Sequence, residues 1–362
     1  MTFAASVANG IAHAEDSARS EVERSGLFER APRTENGRFT NWVGDLTHGT
    51  VGTRFPFMGR RLAGFFRSRP GIPERVEAAA ESLHAVAPNT PSVTWVGHST
   101  LLVQMDGVRF LTDPTWSEHP SPISWLGPRR FIAPGLEMDA LPPIDFVVVS
   151  HNHYDHLDLP TLRALAERDP ATRFFVPLGN GPLLRKNGVA NVVEFDWGDT
   201  IALKGVDVHC LPAQHWSKRG VGDDLKSLWA SWAVVGPSHR FYHSGDTGYF
   251  KGFKEIGEKL GPFDLVGVPV GAYEPRAMMR ASHMNPEEAW QAALDLGARR
   301  AVAMHFGTFD LSDEPLDEAP RRFLEASGEA DRGAPGLGAG GRGDGTEAWV
   351  FRIGETRSFG AL

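Results

Sequence analysis

Cysteine is almost missing from this chain: Cys210 is the single example in 362 residues. That excludes an intramolecular disulfide framework, and it leaves nitrogen and oxygen to hold any metal. Cys210 itself reads as a small buried hydrophobe. Long apolar runs are missing as well. No stretch approaches the ~18 apolar residues of a membrane-spanning helix, and the opening residues have no basic region ahead of a weak apolar core. Neither a span nor a signal peptide is expected, and the expected compartment is the cytoplasm. Positive charge is short too, with 37 Lys and Arg against 45 Asp and Glu for a net charge of -8. That balance argues against a general nucleic-acid partner, which would favour a basic surface.

What is present suits a globular core in one large domain or two smaller ones, with 41% hydrophobic and 23% charged residues. The first ninety residues stand apart. They are rich in Arg, Gly and Pro, lack clear strand patterning, and carry Trp42, Phe55, Phe57, Phe65 and Phe66. Residues 1–90 therefore read as an N-terminal extension wrapped on a domain of residues 91–362. Within the extension, a helix from Phe57 to Arg69 would put Phe57, Met58, Leu62, Phe65 and Phe66 on one half and Arg60 and Arg67 opposite. Such a helix suits a membrane interface or a seat on the domain, and in either place it could wall a cleft.

From Ser92 onward short β-like runs recur, among them SVTWVG, LLVQM, VRFLT, DFVVVS, RFFVP, VDVHCLP, RFYHSG, LVGVPV and AVAMHF. Helical patterns lie between some of them, at Leu159 to Glu167 and at Pro286 to Leu296. The second opens with Asn285 as N-cap, Pro286 in the first turn, and Glu287 and Glu288 behind it. The alternation implies a layered α/β protein. The glycine-rich stretch from Gly333 to Gly345 reads as a loop. Its Gly336, Gly338 and Gly341 have dinucleotide-site spacing but neither the preceding strand nor the following helix.

The chemistry concentrates in His151, Asn152, His153, Tyr154, Asp155 and His156, an H-x-H-x-D-H run directly after the β-branched segment Phe146 to Ser150. Imidazoles and carboxylates at that density repel or strand one another unless a cation sits between them. A strand ending there would aim them into a cleft. Three more donors close apolar runs further on: His215, Asp246 in HSGDTGY, and His305 after AVAM.

This order of residues resembles the metallo-β-lactamase superfamily. The stretches VTWVGHSTLLVQMDGVRFLTDP, SPISWLGPRRF, LPPIDFVVVSHNHYDHLD, AQHWSKR, GDTGYF, GAYEPR, HMNPEEA and MHFGTF, spread over Val93 to Phe309, are similar to the family of N-acylphosphatidylethanolamine-hydrolysing phospholipases D. The resemblance implies an αββα sandwich with two zinc ions in its cleft, manganese or iron also suiting the donors. It places His151, His153 and His215 on one metal, Asp155, His156 and His305 on the other, and Asp246 on both. Asp246 and His283 are the catalytic candidates, His283 handling substrate phosphate or a proton. His98 and Asp113 would brace the site by hydrogen bonds that orient its imidazoles. Tyr273, Glu274 and Arg276 would line the cleft or shape its loop through an internal salt bridge, and Trp229 and Trp232 read as core or wall.

The implied reaction is attack on phosphorus by hydroxide generated from a water between two metals, releasing N-acylethanolamine and leaving phosphatidic acid. A phospholipid substrate, a peripheral membrane surface and a homodimer follow from the same resemblance. The alternative is a hydrolase of the same fold acting on a soluble ester, lactone or cyclic phosphodiester.

Overall fold

The computed structural model describes residues 21–360 except 45, 47, 48, 65–72, 77, 78, 88, 124 and 329–344. An eight-stranded sheet contains β1 (Glu23–Arg24), β8 (Asp199–Leu203), β9 (Val206–Leu211), β10 (Ser231–Val235), β11 (Arg240–His243), β12 (Leu265–Pro269), β13 (Arg300–Met304) and β14 (Glu347–Trp349), in that spatial order. A seven-stranded sheet contains β2 (Ser92–Gly97), β3 (Thr100–Met105), β4 (Val108–Thr112), β5 (Phe146–Val148), β6 (Arg173–Pro177) and β7 (Val192–Phe195), with β15 (Thr356–Ser358) outside β2. The helices are α1 (Val51–Gly64), α2 (Ala79–His84), α3 (Leu159–Arg168), α4 (Gly181–Lys186), α5 (Gly252–Leu260), α6 (Arg276–Met279), α7 (Pro286–Asp295) and α8 (Glu318–Ser327).

Continuous apolar strands make this layering necessary. Along β5, Phe146 and Val148 join one core and Val147 the other; along β6, Phe175 joins the first and Phe174 and Val176 the second. Side chains alternate across a strand, so an unbroken apolar run must bury both faces. The first core lies between the sheets, where Phe110 meets Phe241 and Phe195 meets Trp232, each with ring centroids 5.3 Å apart. The second lies outside the seven-stranded sheet under Leu162 and Leu165 of α3 and Leu184 of α4. On the far side, Phe253 and Ile256 of α5, Trp290 of α7 and Phe323 of α8 cover the eight-stranded sheet. The result is the αββα sandwich expected from the sequence. Cys210 sits in the inter-sheet core, and burial pushes its thiol up.

The strands β4 to β7 run parallel, as do β11 to β14. Loops after β2, β4, β5, β9, β11 and β13 carry His98, Asp113, the H-x-H-x-D-H run, His215, Asp246 and His305, so the donors gather at carboxyl ends of strands.

Several elements match their sequence reading closely. β2, β4 and β6 have the expected bounds, α3 runs one residue past Glu167, and α7 stops one residue before Leu296. Asn285 and Glu288 form a full capping box at the start of α7. Short or polar strands were not read from the sequence: β1, β7, β8 and β15. Most of the glycine-rich stretch, including Gly336, Gly338 and Gly341, lies outside the described residues.

The extension is built into the fold. β1 pairs with β8, and Phe28, Ala31 and Phe39 join the larger buried core. The helix expected at Phe57 to Arg69 begins earlier, at Val51; Phe65, Phe66 and Arg67 lie outside the described residues. Among the described residues, no helix is long and apolar enough to cross a membrane.

Candidate metal centre

The two triads suggested by the sequence are each assembled. Donor atoms of His151, His153 and His215 lie within 4.8 Å of one another, and so do those of Asp155, His156 and His305, joined by His98. Asp246 lies against both. Its Oδ2 is 3.9 Å from His151 Nε2, 4.0 Å from His215 Nε2 and 3.2 Å from His156 Nε2, and its Oδ1 is 3.1 Å from His305 Nε2.

Three of the imidazoles are turned by the bond their other nitrogen makes. His215 Nδ1 donates to the Ser282 carbonyl at 2.9 Å, which leaves Nε2 bare toward the cluster. His156 Nδ1 donates to Asp113 Oδ2 at 2.8 Å with the same effect. His151 Nδ1 meets Ser150 Oγ at 2.9 Å. Asp113 is the centre of this support: it also takes the Ser150 amide at 2.6 Å, the Ser150 hydroxyl at 2.7 Å and His243 Nε2 at 3.0 Å. Although burial opposes its charge, His243 and His156 hold the Asp113 carboxyl well below the usual carboxylate range.

The electrostatics divide the cluster. Burial holds His151 and His215 well below the ordinary imidazole value and pushes His153 and His283 down to about 4. Those rings are neutral, the form in which imidazole offers a lone pair. Against the same burial, Asp246, Asp155 and Asp113 raise His156 well above its ordinary value, and Asp246 and Asp155 raise His305 to about 9. Asp155 and Asp246 are held low by the imidazoles although burial would raise them.

A divalent ion pair fits these residues. His156 Nε2, His305 Nε2 and Asp246 Oδ1 are buried and make no hydrogen bond. Buried polar atoms ordinarily find partners, and unpartnered nitrogens and oxygen gathered beside two carboxylates fit a cation between them, which would take over the stabilisation that protons on His156 and His305 otherwise supply. Backbone strain marks the same place: His98, Asp113, Ala272 and His305 have φ of 52°, 38°, 59° and 62°. Such conformations persist only where surrounding contacts impose them.

The cluster opens into a cavity of about 800 Å³. It is lined by His153, Asp155, His215, Asp246, His283 and His305, by the apolar side chains of Phe57, Met58, Met278, Met279 and Leu311, and by the charged Arg54, Lys218 and Asp224. Here α1 is neither a separate surface helix nor a helix seated in the core. Phe57 and Met58 line the cavity while Phe55 and Met58 are 71% and 60% exposed, and Arg60 is tied to Asp313 at 2.6 Å.

His283 reaches the cavity beside the cluster, its Nδ1 3.9 Å from Asp246 Oδ2 and without a hydrogen bond. Arg276 holds it by donating to the His283 carbonyl at 2.9 Å and to Glu288 of the capping box at 2.7 Å. The internal salt bridge of the GAYEPR loop thus runs to Glu288, while Tyr273 is buried and donates to Glu318 at 2.8 Å. Trp229 lines the cavity and Trp232 is core, its indole donating to the Val149 carbonyl at 3.0 Å.

Three supporting features escaped the sequence reading. His98 bonds a carboxylate, Asp155, rather than an imidazole. His243 was visible only as the end of a strand. Asn41, from the extension, accepts from the His215 amide at 3.0 Å and donates to the His215 carbonyl at 2.9 Å, a pairing for which no local pattern exists.

Comparison with known proteins agrees with this fold. A family model described as the beta-lactamase superfamily domain matches residues 108–306. N-acyl-phosphatidylethanolamine-hydrolyzing phospholipase D 1 of Caenorhabditis elegans is 42% identical over 242 residues, 64% of this chain and 68% of that one. The mitochondrial N-acyl-phosphatidylethanolamine-hydrolyzing phospholipase D of Saccharomyces cerevisiae is 36% identical over 246 residues, 65% of this chain and 51% of that one. Among solved structures, Igni18, a metallo hydrolase from Ignicoccus hospitalis, matches with a TM-score of 0.54 at 21% identity over 76% of this chain and all of its own, a likeness of fold.

Proposed function

From the premise that the chain belongs to the metallo-β-lactamase superfamily and is a metal-dependent hydrolase of that fold, we propose that it hydrolyses the headgroup phosphodiester of N-acylphosphatidylethanolamine. The observation that carries this reading is the cavity's mixed lining: a donor cluster and an apolar wall of Phe57, Met58, Met278, Met279 and Leu311. A charged phosphodiester bearing acyl chains needs both. The two relatives named for that hydrolysis support the choice.

His151, His153 and His215 would hold one metal, Asp155, His156 and His305 the second, with Asp246 shared; zinc suits this nitrogen-rich set. Two divalent ions so held would activate water and neutralise charge on phosphoryl oxygens. The chain's residues supply the rest. Asp246 spans both triads and fixes their spacing. His283, neutral and unbonded at Nδ1, is placed to contact the phosphate or to take the proton the attacking water gives up and pass it to the departing alcohol oxygen. The apolar wall excludes water around the chains, and exposed Phe55 and Met58 on α1 would face the lipid surface that delivers them. The P–O bond to the ethanolamine oxygen breaks as the bond from water oxygen forms, giving N-acylethanolamine and phosphatidic acid.

The test is hydrolysis of N-acylphosphatidylethanolamine in mixed micelles by zinc-loaded protein, with products identified by mass, beside Asp246→Asn and a soluble bis-aryl phosphodiester. Release of N-acylethanolamine that falls more than about 100-fold in the variant is expected, beyond the range for residues supporting a metal ligand. Turnover of the soluble diester alone would sink the lipid assignment and favour a soluble substrate.

A further inference from the structure

We propose that His98 is a positioning residue that sets the orientation of the Asp155 carboxylate and the seat of His305, so that the second metal is held tightly only when His98 is in place. This rests on the two-metal reading of the centre. His98 occupies the tight β2–β3 turn at φ 52° with its side chain buried. Its Nε2 lies 2.9 Å from Asp155 Oδ2, the same oxygen that stands 3.5 Å from His156 Nε2 and 3.6 Å from His305 Nε2. A carboxylate oxygen has two lone-pair directions. A hydrogen bond from His98 occupies one and turns the other toward the two imidazoles.

The main chain of His98 completes the arrangement. Its carbonyl accepts from the His305 amide at 3.1 Å and from the Trp95 indole at 2.8 Å, and its own amide donates to Thr308 Oγ1 at 2.9 Å. The ring packs 4.2 Å from the His305 ring and 5.0 Å from Phe309. One residue therefore holds Asp155 through its side chain and the His305 loop through its backbone. His98 falls within ligand distance of this group, so a direct ligand is the competing role. The hydrogen-bond length to Asp155 favours a proton on Nε2, and a protonated nitrogen has no lone pair for a metal.

Metal uptake by stripped protein separates the two. Cobalt titration followed by visible absorption, with zinc content by elemental analysis, would be run on the wild type, His98→Gln, His98→Leu, Asp155→Ala and the double variant His98→Leu/Asp155→Ala. Glutamine keeps an N–H at the position of Nε2. The expected result is two metals for wild type and His98→Gln, a roughly 10–100-fold weaker second metal in His98→Leu with the first retained, and in the double variant no loss beyond that of Asp155→Ala alone. Retention of the first metal, on His151, His153 and His215, also reports folding; if His98→Leu fails there, His98→Asn, whose amide is too short to reach Asp155, carries the same test. The proposal is overturned if His98→Gln loses the second metal as Leu does, if His98→Leu keeps both, or if the double variant loses more than Asp155→Ala. Uptake of one metal by wild type sinks the two-metal premise and the proposal together, whereas failure to cleave the lipid touches neither.

Discussion

At the residue scale, the decisive side chain beneath the cluster is Asp113. It is fully buried, and it orients His156 while accepting from Ser150 and His243. Asn there keeps the size but removes the charge and puts an N–H₂ where one acceptor stood. Asp113→Asn is expected to weaken metal affinity by about 10–100-fold, read by competition with a chelator, with the fold retained by circular dichroism. Asp113 was legible in the sequence because it closes the VRFLT strand in LTDP. His243 was not: a single histidine at a strand end carries no spacing to distinguish it from a core residue, and its partner lies 130 positions away.

At the element scale, the start of α7 joins helix stability to the site. Asn285 accepts from the Glu288 amide at 2.9 Å, Glu288 accepts from the Asn285 amide at 3.2 Å, and Glu288 also grips Arg276, which holds His283. Asn285→Ala is expected to lower stability by about 1 kcal/mol, measured by denaturant unfolding of the metal-loaded protein. Turnover would fall further than that stability change explains, because His283 loses its anchored loop. The capping box was readable because its parts are three residues apart. Strands such as β8 and β15 were not, since short, partly exposed strands lack the apolar alternation that marks one.

At the scale of the whole molecule, the extension and the sandwich make one structure. We propose the division at residue 90 as one of sequence character, and Asn41 shows what crosses it. Its side chain pairs with both backbone groups of His215 and accepts from the Trp229 indole at 3.0 Å. Asn41→Ala would leave the buried His215 amide and carbonyl unpaired, at about 1–3 kcal/mol. A lower unfolding midpoint is expected, with weakened binding of the metal held by His215; an unchanged metal titration would show that the clamp is dispensable. The amino-acid sequence by itself determined a layered α/β protein, since unbroken apolar strands must bury both faces, and it singled out seven candidate donors, since those side chains stand at strand ends in recognisable order. Only the tertiary structure decided which partners those donors find and added Asn41 and His243 to the groups that support them. Both act across long sequence separations, and a hydrogen bond between distant residues leaves no periodic trace along the chain.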